Sequence, residues 1–158
     1  MITPMAAAIE EARASAAENG LPIGSVVARD DLILGFGRNR FRQTGDPTSH
    51  AEMEAIRDAA RRKPDNVDAL FSGAAIYTTM MPCEMCTGAI IRFGFSRVVV
   101  AETRTYTDSG TRALMERQGI TVEVTDDETS VKLVEEYFAR HPEWEAFMRA
   151  RKRKLLKL

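Results

Sequence analysis

The segments HAEME (residues 50–54) and PCEMC (residues 82–86) hold the residues around which this chain is expected to fold. Together they contain both cysteines and one of the two histidines in the 158-residue sequence. Cysteines three residues apart at the start of a helix lie on one face, and the positive end of that helix favours thiolates. His50, Cys83 and Cys86 therefore form a candidate set of three metal ligands. Three protein ligands leave the fourth position of tetrahedral zinc open to water, as in catalytic zinc sites.

Glu52 follows His50 by two residues. This spacing places its carboxylate near the open metal position without requiring it to bind the metal, which is where a proton carrier is needed. A structural zinc site needs a fourth ligand, and the other histidine, His141, lies far along the chain before Pro142. The sequence therefore predicts a catalytic zinc centre with Glu52 as its acid–base group.

The two cysteines also allow other interpretations. A Cys-x-x-Cys pair that follows a strand and opens a helix is typical of thioredoxin-like redox proteins. A redox pair has no need of an upstream His-x-Glu, and here Pro82 precedes the first cysteine. Unpaired, buried structural cysteines are a third interpretation. A non-catalytic zinc or redox module thus remains an alternative to an enzyme.

Composition narrows the class of protein. Hydrophobic residues make up 44 % and charged residues 28 %, as in ordinary globular domains, and we expect residues 1–158 to form a single domain. No apolar run approaches the length of a membrane-spanning helix, and we expect no signal peptide, because the opening segment carries three glutamates and no early lysine or arginine. Two cysteines offer no disulfide framework, so a cytoplasmic location is expected. A net charge of −1 does not favour a nucleic-acid partner.

Strand and helix patterns alternate along the chain. Strands are predicted at IGSVVARD, LILGFGRN, AAIYTTM, RVVVAE and ITVEV, the first two forming a hairpin at Asp30-Asp31. A first helix is predicted after Thr3-Pro4, and a second from His50, with its cap within Asp46–Ser49. A third is predicted in CEMCTGAIIRFG, with Pro82 in its first turn. Three further helices are predicted after residue 110. RKPDNVDALFSG is expected to be a loop. These elements predict an α/β domain with helices on both sides of a five-stranded sheet.

The chain resembles the cytidine deaminase superfamily at these residues, and within it the fungal-type cytosine deaminases, which are small homodimeric zinc enzymes. The combination H-x-E…P-C-x-x-C is typical of zinc nucleobase deaminases. YTTMMPCEMCTGAII is the most specific stretch, and GFGRNRF and the strand Arg97–Glu102 are also similar. The likeness extends from Leu21 to Trp144. It implies the three-layer α/β/α fold of that superfamily, with a mixed central sheet.

The resemblance also implies roles for individual residues. It implies one Zn²⁺ per subunit on His50, Cys83 and Cys86, with a bound water or hydroxide, and Glu52 as the proton shuttle. It implies that Asn39 hydrogen-bonds a ring carbonyl and that backbone groups of Ala51, Met81 and Cys83 orient the base or receive the leaving amine. Tyr106, Trp144 and Phe147 are the expected aromatic walls of the substrate pocket.

Cytosine, converted to uracil and ammonia in pyrimidine salvage, is the substrate that this resemblance favours. One departure bears on that choice, because the cytosine enzymes carry a carboxylate three residues after the pocket tryptophan, where this chain has Phe147. Either Glu143 or Glu145 replaces that carboxylate, or the substrate is another small heterocycle such as guanine, isocytosine or creatinine.

A tRNA adenosine deaminase is a further alternative, because such enzymes share the zinc motif. The C-terminal stretch RARKRKLLKL is the only basic patch that could contact phosphates. Such a run is more often a solvated helix end whose cations suit the helix dipole. The sequence therefore predicts a base-sized substrate and neither a nucleic-acid nor a membrane partner, and the resemblance implies a homodimer.

Overall fold

A five-stranded sheet forms the centre of the computed structural model, which describes residues 1–106 and 108–155. The basic tail is thus described only as far as Leu155, and residues 156–158 lie outside the described part of the chain. The strands are β1 (Gly24–Arg29), β2 (Leu32–Arg38), β3 (Ala75–Thr78), β4 (Arg97–Val100) and β5 (Thr121–Val124).

Helices separate most of these strands. They are α1 (Pro4–Ala17), α2 (Phe41–Thr44), α3 (Ala51–Arg62), α4 (Val67–Leu70), α5 (Glu84–Phe93), α6 (Thr111–Arg117), α7 (Glu128–Arg140) and α8 (Pro142–Leu155). Thr3 caps α1 by accepting a hydrogen bond from the Ala6 amide, as its position before Pro4 predicts. Among the described residues, no helix is both long and apolar enough to span a membrane.

The strand order is β2-β1-β3-β4-β5. β1 is antiparallel to both β2 and β3, whereas β3, β4 and β5 run parallel to one another. Asp30, at the predicted hairpin turn, has a positive φ of 53°, a conformation that aspartate adopts more readily than most residues. The predicted hairpin and mixed five-stranded sheet are confirmed.

Alternating side chains divide the core into two halves. Val27, Ile76, Val98 and Val122 lie in register on neighbouring strands and belong to the larger apolar cluster, together with residues of α3, α5 and α6. On the opposite face, Val26 and Ala28 pack against Ala7 and Ala8 of α1. Helices thus cover both faces of the sheet, which confirms the predicted three-layer α/β/α fold.

Helix α3 lies unusually close to β2. A Cβ atom added to Gly37 would stand 2.2 Å from both the Ala51 carbonyl oxygen and the Ala55 amide nitrogen. One added to Gly35 would stand 2.5 Å from the Ala59 amide nitrogen. Glycines on the strand and small alanines on the helix therefore allow the two backbones to approach directly, and this contact fixes the position of the first turn of α3.

Two predicted helix starts are wrong in detail. The N-cap of α3 is His50, without a side-chain capping bond, and not a residue of Asp46–Ser49. The Asp46 carboxylate instead accepts hydrogen bonds from the amide and hydroxyl of Thr48, which closes a local turn before the helix. Pro82 likewise precedes α5, whose N-cap is Cys83. The expected loop RKPDNVDALFSG contains a short 3-10 helix (Pro64–Asn66) and α4, and α2 was not predicted.

We expect Gly37→Ala to destabilise the fold by about 1–3 kcal/mol, because the added methyl group forces α3 away from β2. Urea unfolding measures the change in the free energy of unfolding. Gly88→Ala in α5 is the matched control, since a Cβ there meets nothing within 4 Å in the described structure and alanine favours a helix by about 1 kcal/mol. Equal stability of the two variants would contradict a tight contact at Gly37.

Candidate functional site

The starts of α3 and α5 place the predicted metal ligands opposite one another. His50 is the N-cap residue of α3, Cys83 is the N-cap residue of α5, and Cys86 lies in the first turn of α5. Both helices thus direct their positive N-terminal ends at this point, which favours the thiolate forms that bind metals.

The three ligand atoms have the spacing of a zinc site. His50 Nδ1 lies 3.5 Å from Cys83 Sγ and 3.7 Å from Cys86 Sγ, and all three atoms lie within 4.8 Å of one another. Tetrahedral zinc, with bonds of about 2.3 Å to sulfur and 2.0–2.1 Å to nitrogen, separates the two kinds of ligand atom by about 3.6 Å. The donor set and its geometry therefore both fit zinc.

The two thiols ionise very differently. The hydrogen bond between them is the largest influence on each, and it lowers the pKa of Cys83 to about 4 while raising the pKa of Cys86, which burial raises further. Burial opposes protonation of His50, but its hydrogen bond with Cys83 and the charge of Glu52 outweigh burial and raise the pKa of the imidazole. Metal binding must therefore displace the Cys86 proton, because metals bind the thiolate.

Glu52 lies beside this cluster and is only 4 % exposed. Its Oε2 accepts a hydrogen bond of 3.5 Å from Cys86 Sγ, and its Oε1 accepts one of 3.4 Å from the Thr78 hydroxyl at the end of β3. Burial raises the pKa of the Glu52 carboxyl, and the negative charge of Cys83 raises it further. A carboxyl group with a raised pKa, held next to a metal position, is suited to take up and release a proton.

A cavity of about 290 Å³ opens over the cluster. Its lining includes the predicted residues His50, Glu52, Cys83, Asn39, Met81, Tyr106 and Phe147. Ala51 and Trp144 are not among the described residues that line it. Ala51 is fully buried at the start of α3. The structure thus brings most of the predicted residues together around one space.

Asn39 is 2 % exposed and follows β2. Its Oδ1 accepts a hydrogen bond from the Phe41 amide, and its backbone carbonyl accepts bonds from Ser15 and Gln43. These contacts fix the backbone and orient the side-chain amide at the cavity. The side-chain nitrogen is the group of Asn39 that can donate to a ligand.

Trp144 packs against Phe41 and Phe147, which line the cavity, and does not itself line it in the described structure. Its ring lies edge-on to Phe41 at 5.7 Å and to Phe147 at 5.3 Å, while Phe41 and Phe147 stack at 5.9 Å. The Arg42 guanidinium lies 4.8 Å from the Trp144 ring centre. Phe147, rather than Trp144, is therefore the aromatic residue that α8 presents to the cavity.

The loop after β4 supplies Tyr106. Glu102, which is fully buried, accepts hydrogen bonds from the amides of Arg104 and Thr105 and from the Thr105 hydroxyl. These bonds set the course of the loop and so the position of Tyr106. Burial raises the pKa of the Tyr106 phenol, with contributions from the charges of Glu84 and Cys83, and the charge of Arg151 opposes this.

Sequence reasoning missed several lining residues. Phe41, Met148 and Arg151 line the cavity, as do apolar side chains at Leu21, Ile23, Met80 and Met85. The spacing of Phe147, Met148 and Arg151 from Trp144 (three, four and seven residues) places all four on one face of α8. This periodicity was the available signal, although it does not indicate which face meets the cavity.

Comparison with known proteins agrees with this site. The sequence model of the family described as "Cytidine and deoxycytidylate deaminase zinc-binding region" matches residues 2–102. The cytosine deaminase of Candida albicans is 34 % identical over 137 residues, 86 % of this chain and 87 % of that protein. The tRNA-specific adenosine deaminase of Aquifex aeolicus is 32 % identical over 92 residues, 58 % of this chain and 59 % of that protein.

A solved structure of the guanine deaminase from Nitrosomonas europaea has a TM-score of 0.74 at 25 % identity, covering 88 % of this chain and 86 % of the other. The predicted family and the predicted zinc cofactor are thus confirmed, with His50, Cys83 and Cys86 placed to hold the ion.

We expect one zinc ion per chain, and we expect Cys86→Ala or His50→Ala to lose it, because each variant removes one of the three ligands. Zinc in the purified, dialysed protein is measured by atomic emission. His141→Ala is the control, since His141 contacts the Tyr137 ring and the Glu143 carboxylate and is outside the ligand cluster. Full zinc content in Cys86→Ala would contradict the assigned ligand set.

Proposed function

The chain belongs to the cytidine and deoxycytidylate deaminase family, and we propose that it hydrolytically deaminates a free nucleobase or a heterocycle of that size. Family membership makes it a zinc-dependent deaminase. The observation that carries the finer proposal is the buried Glu52 carboxylate, which stands beside the metal ligands and lines a small cavity.

Zinc, when bound, supplies Lewis-acid activation that allows water to lose a proton near neutral pH. Glu52 takes up that proton and delivers it to the ring nitrogen. It then takes the remaining proton of the hydroxyl group added to the ring carbon and delivers it to the amine, which leaves as ammonia while the carbonyl forms. Its burial and raised pKa suit both steps, because a group that must first accept and later donate works best with a pKa near the working pH. The products are ammonia and the ring with a carbonyl in place of the amine.

Other groups of the site would hold the ring. The side-chain nitrogen of Asn39 is available to donate to a ring carbonyl. The Ala51 amide lies in the first turn of α3, where a helix leaves backbone amides without internal partners. Its donation to the base stays a prediction, because Ala51 is buried and is not among the described residues that line the cavity. Met81 and Cys83 offer backbone groups near the leaving amine. Tyr106 and Phe147 provide flat apolar walls, and Trp144 supports Phe147 from behind.

The size of the cavity favours a free base. Small-molecule pockets start at about 300 Å³, so a space of about 290 Å³ suits a single small ring system. Residues of α8 cover this space, which hinders entry of a nucleotide that remains part of a polymer. We therefore do not favour a tRNA substrate, although tRNA adenosine deaminases share part of the sequence.

Two kinds of base have support. Cytosine is favoured by the sequence similarity to the Candida albicans enzyme, which extends over most of both chains. Guanine is favoured by the structural similarity to a guanine deaminase and by Phe147, which offers no carboxylate to a polar edge of cytosine. Homodimer formation, a cytoplasmic location and a role in pyrimidine salvage stay predictions.

We expect Glu52→Gln to retain zinc and to lower kcat by about 10²–10⁴-fold, because it removes the proton carrier and keeps the shape of the side chain. Ammonia release from a panel of bases measures activity, and metal analysis measures zinc. Glu54→Gln on the same helix is the control, since Glu54 bonds only Ser49 and Arg57 among the described residues. Wild-type turnover by Glu52→Gln would refute the proposed role.

We expect Asn39→Asp to lower kcat/KM by about 10- to 100-fold through a loss of ring-carbonyl binding. Aspartate retains the oxygen that accepts from the Phe41 amide, so the backbone turn is preserved. It replaces the donating NH₂ group by an acceptor that repels a carbonyl oxygen. Steady-state kinetics on the best base of the panel measure the change, and an unaltered kcat/KM would show that Asn39 does not bind the ring.

A further inference from the structure

Arg151 lines the cavity from the same face of α8 as Phe147 and Met148. It is the only arginine or lysine among the described lining residues, whereas the carboxylates there are Glu52 and Glu84. Its charge also acts on Tyr106 in the cavity wall: burial is the largest influence on the pKa of that phenol and raises it, whereas the Arg151 charge lowers it. The cavity therefore has a cationic side in addition to the cluster of residues that can hold a metal.

The Arg151 guanidinium has no carboxylate partner in the described part of the chain. The other cavity-facing charges are engaged, since Glu84 accepts a hydrogen bond from Ser109 and Glu52 accepts from Cys86 and Thr78. Arg149, two residues earlier on α8, is paired with Glu145 at 2.8 Å. Arg151 thus keeps hydrogen-bond donors that a ligand in the cavity can use.

This charge bears on which edge of a base the site can accept. In cytosine the ring atom opposite the amine-bearing carbon is N1, which carries a hydrogen and needs an acceptor. Arg151 offers only donors and Phe147 offers neither donor nor acceptor. The side of the cavity formed by α8 therefore supplies no acceptor to that N–H when cytosine is held with its amine at the metal ligands.

Bases with the amine at C2 present the opposite chemistry. Guanine has the acceptors O6 and N7 on the edge away from its amine side, and arginine binds that pair bidentately. Isocytosine has a carbonyl oxygen at the corresponding place. Building on the proposed function, we propose that Arg151 selects the substrate by donating to an acceptor edge, so that 2-amino-oxo-heterocycles such as isocytosine and guanine are preferred over cytosine.

Isocytosine and cytosine make a sharp test, because hydrolysis of either releases ammonia and forms uracil. We expect zinc-loaded protein to have the higher kcat/KM with isocytosine. Arg151→Met, which keeps the length of the side chain and removes its donors, is expected to lower kcat/KM for isocytosine and guanine by about 10- to 100-fold. The kcat/KM of Arg151→Met for cytosine is expected to change little or to rise.

Arg149→Met is the matched control, as it removes an arginine of the same helix that is paired with Glu145 and does not line the cavity. We expect Arg149→Met to leave kcat/KM unchanged for every base. A preference for cytosine, or equal losses for every base in Arg151→Met, would overturn the proposal while leaving free-base deamination intact.

Binding separates this proposal from the proposed function. Calorimetric titration of zinc-loaded Glu52→Gln with isocytosine and with cytosine needs no turnover. If no base is deaminated by the wild-type protein, the proposed function fails. In that case tighter binding of isocytosine that depends on Arg151 supports the acceptor-edge assignment, and its absence overturns that assignment too.

Discussion

The site depends on the direct contact between the backbones of α3 and β2. Gly35 and Gly37 present no side chains, and Ala51, Ala55 and Ala59 complete a surface of small groups. Because α3 starts at this contact, the contact determines where His50 and Glu52 lie. A protein interior is too closely packed to absorb an added group there without movement of the helix. The catalytic geometry is thus set by a contact between two backbones that lies outside the ligand cluster.

Two helix N-termini then meet at the ligand cluster, and their combined fields favour negative charge. At Cys83 this field adds to the hydrogen bond with Cys86, which is the largest cause of the lowered pKa of that thiol. Beside it, burial raises the pKa of the Glu52 carboxyl. Adjacent acids therefore differ greatly in proton affinity, which separates the ligand role of one from the acid–base role of the other.

The residues of the metal centre could be predicted from the sequence because their chemistry is local. Cys83 and Cys86 belong to one helix turn, and His50 and Glu52 are two residues apart. The start of α3 was less predictable, since Asp46 resembles a helix cap yet bonds its own turn. The cavity wall formed by α8 could not be predicted from the sequence. Whether Phe147 and Arg151 face the cavity depends on how the helix is rotated against Phe41.

The loop held by Glu102 has a consequence for how such a protein can change over evolutionary time. Its buried carboxylate ties residues 104 and 105 to the end of β4, independently of α3 and α5. The pocket wall at Tyr106 and the wall on α8 can therefore accumulate substitutions while the reaction machinery stays whole. Substrate preference and the zinc chemistry are thus held by separate sets of contacts, so one can change without the other.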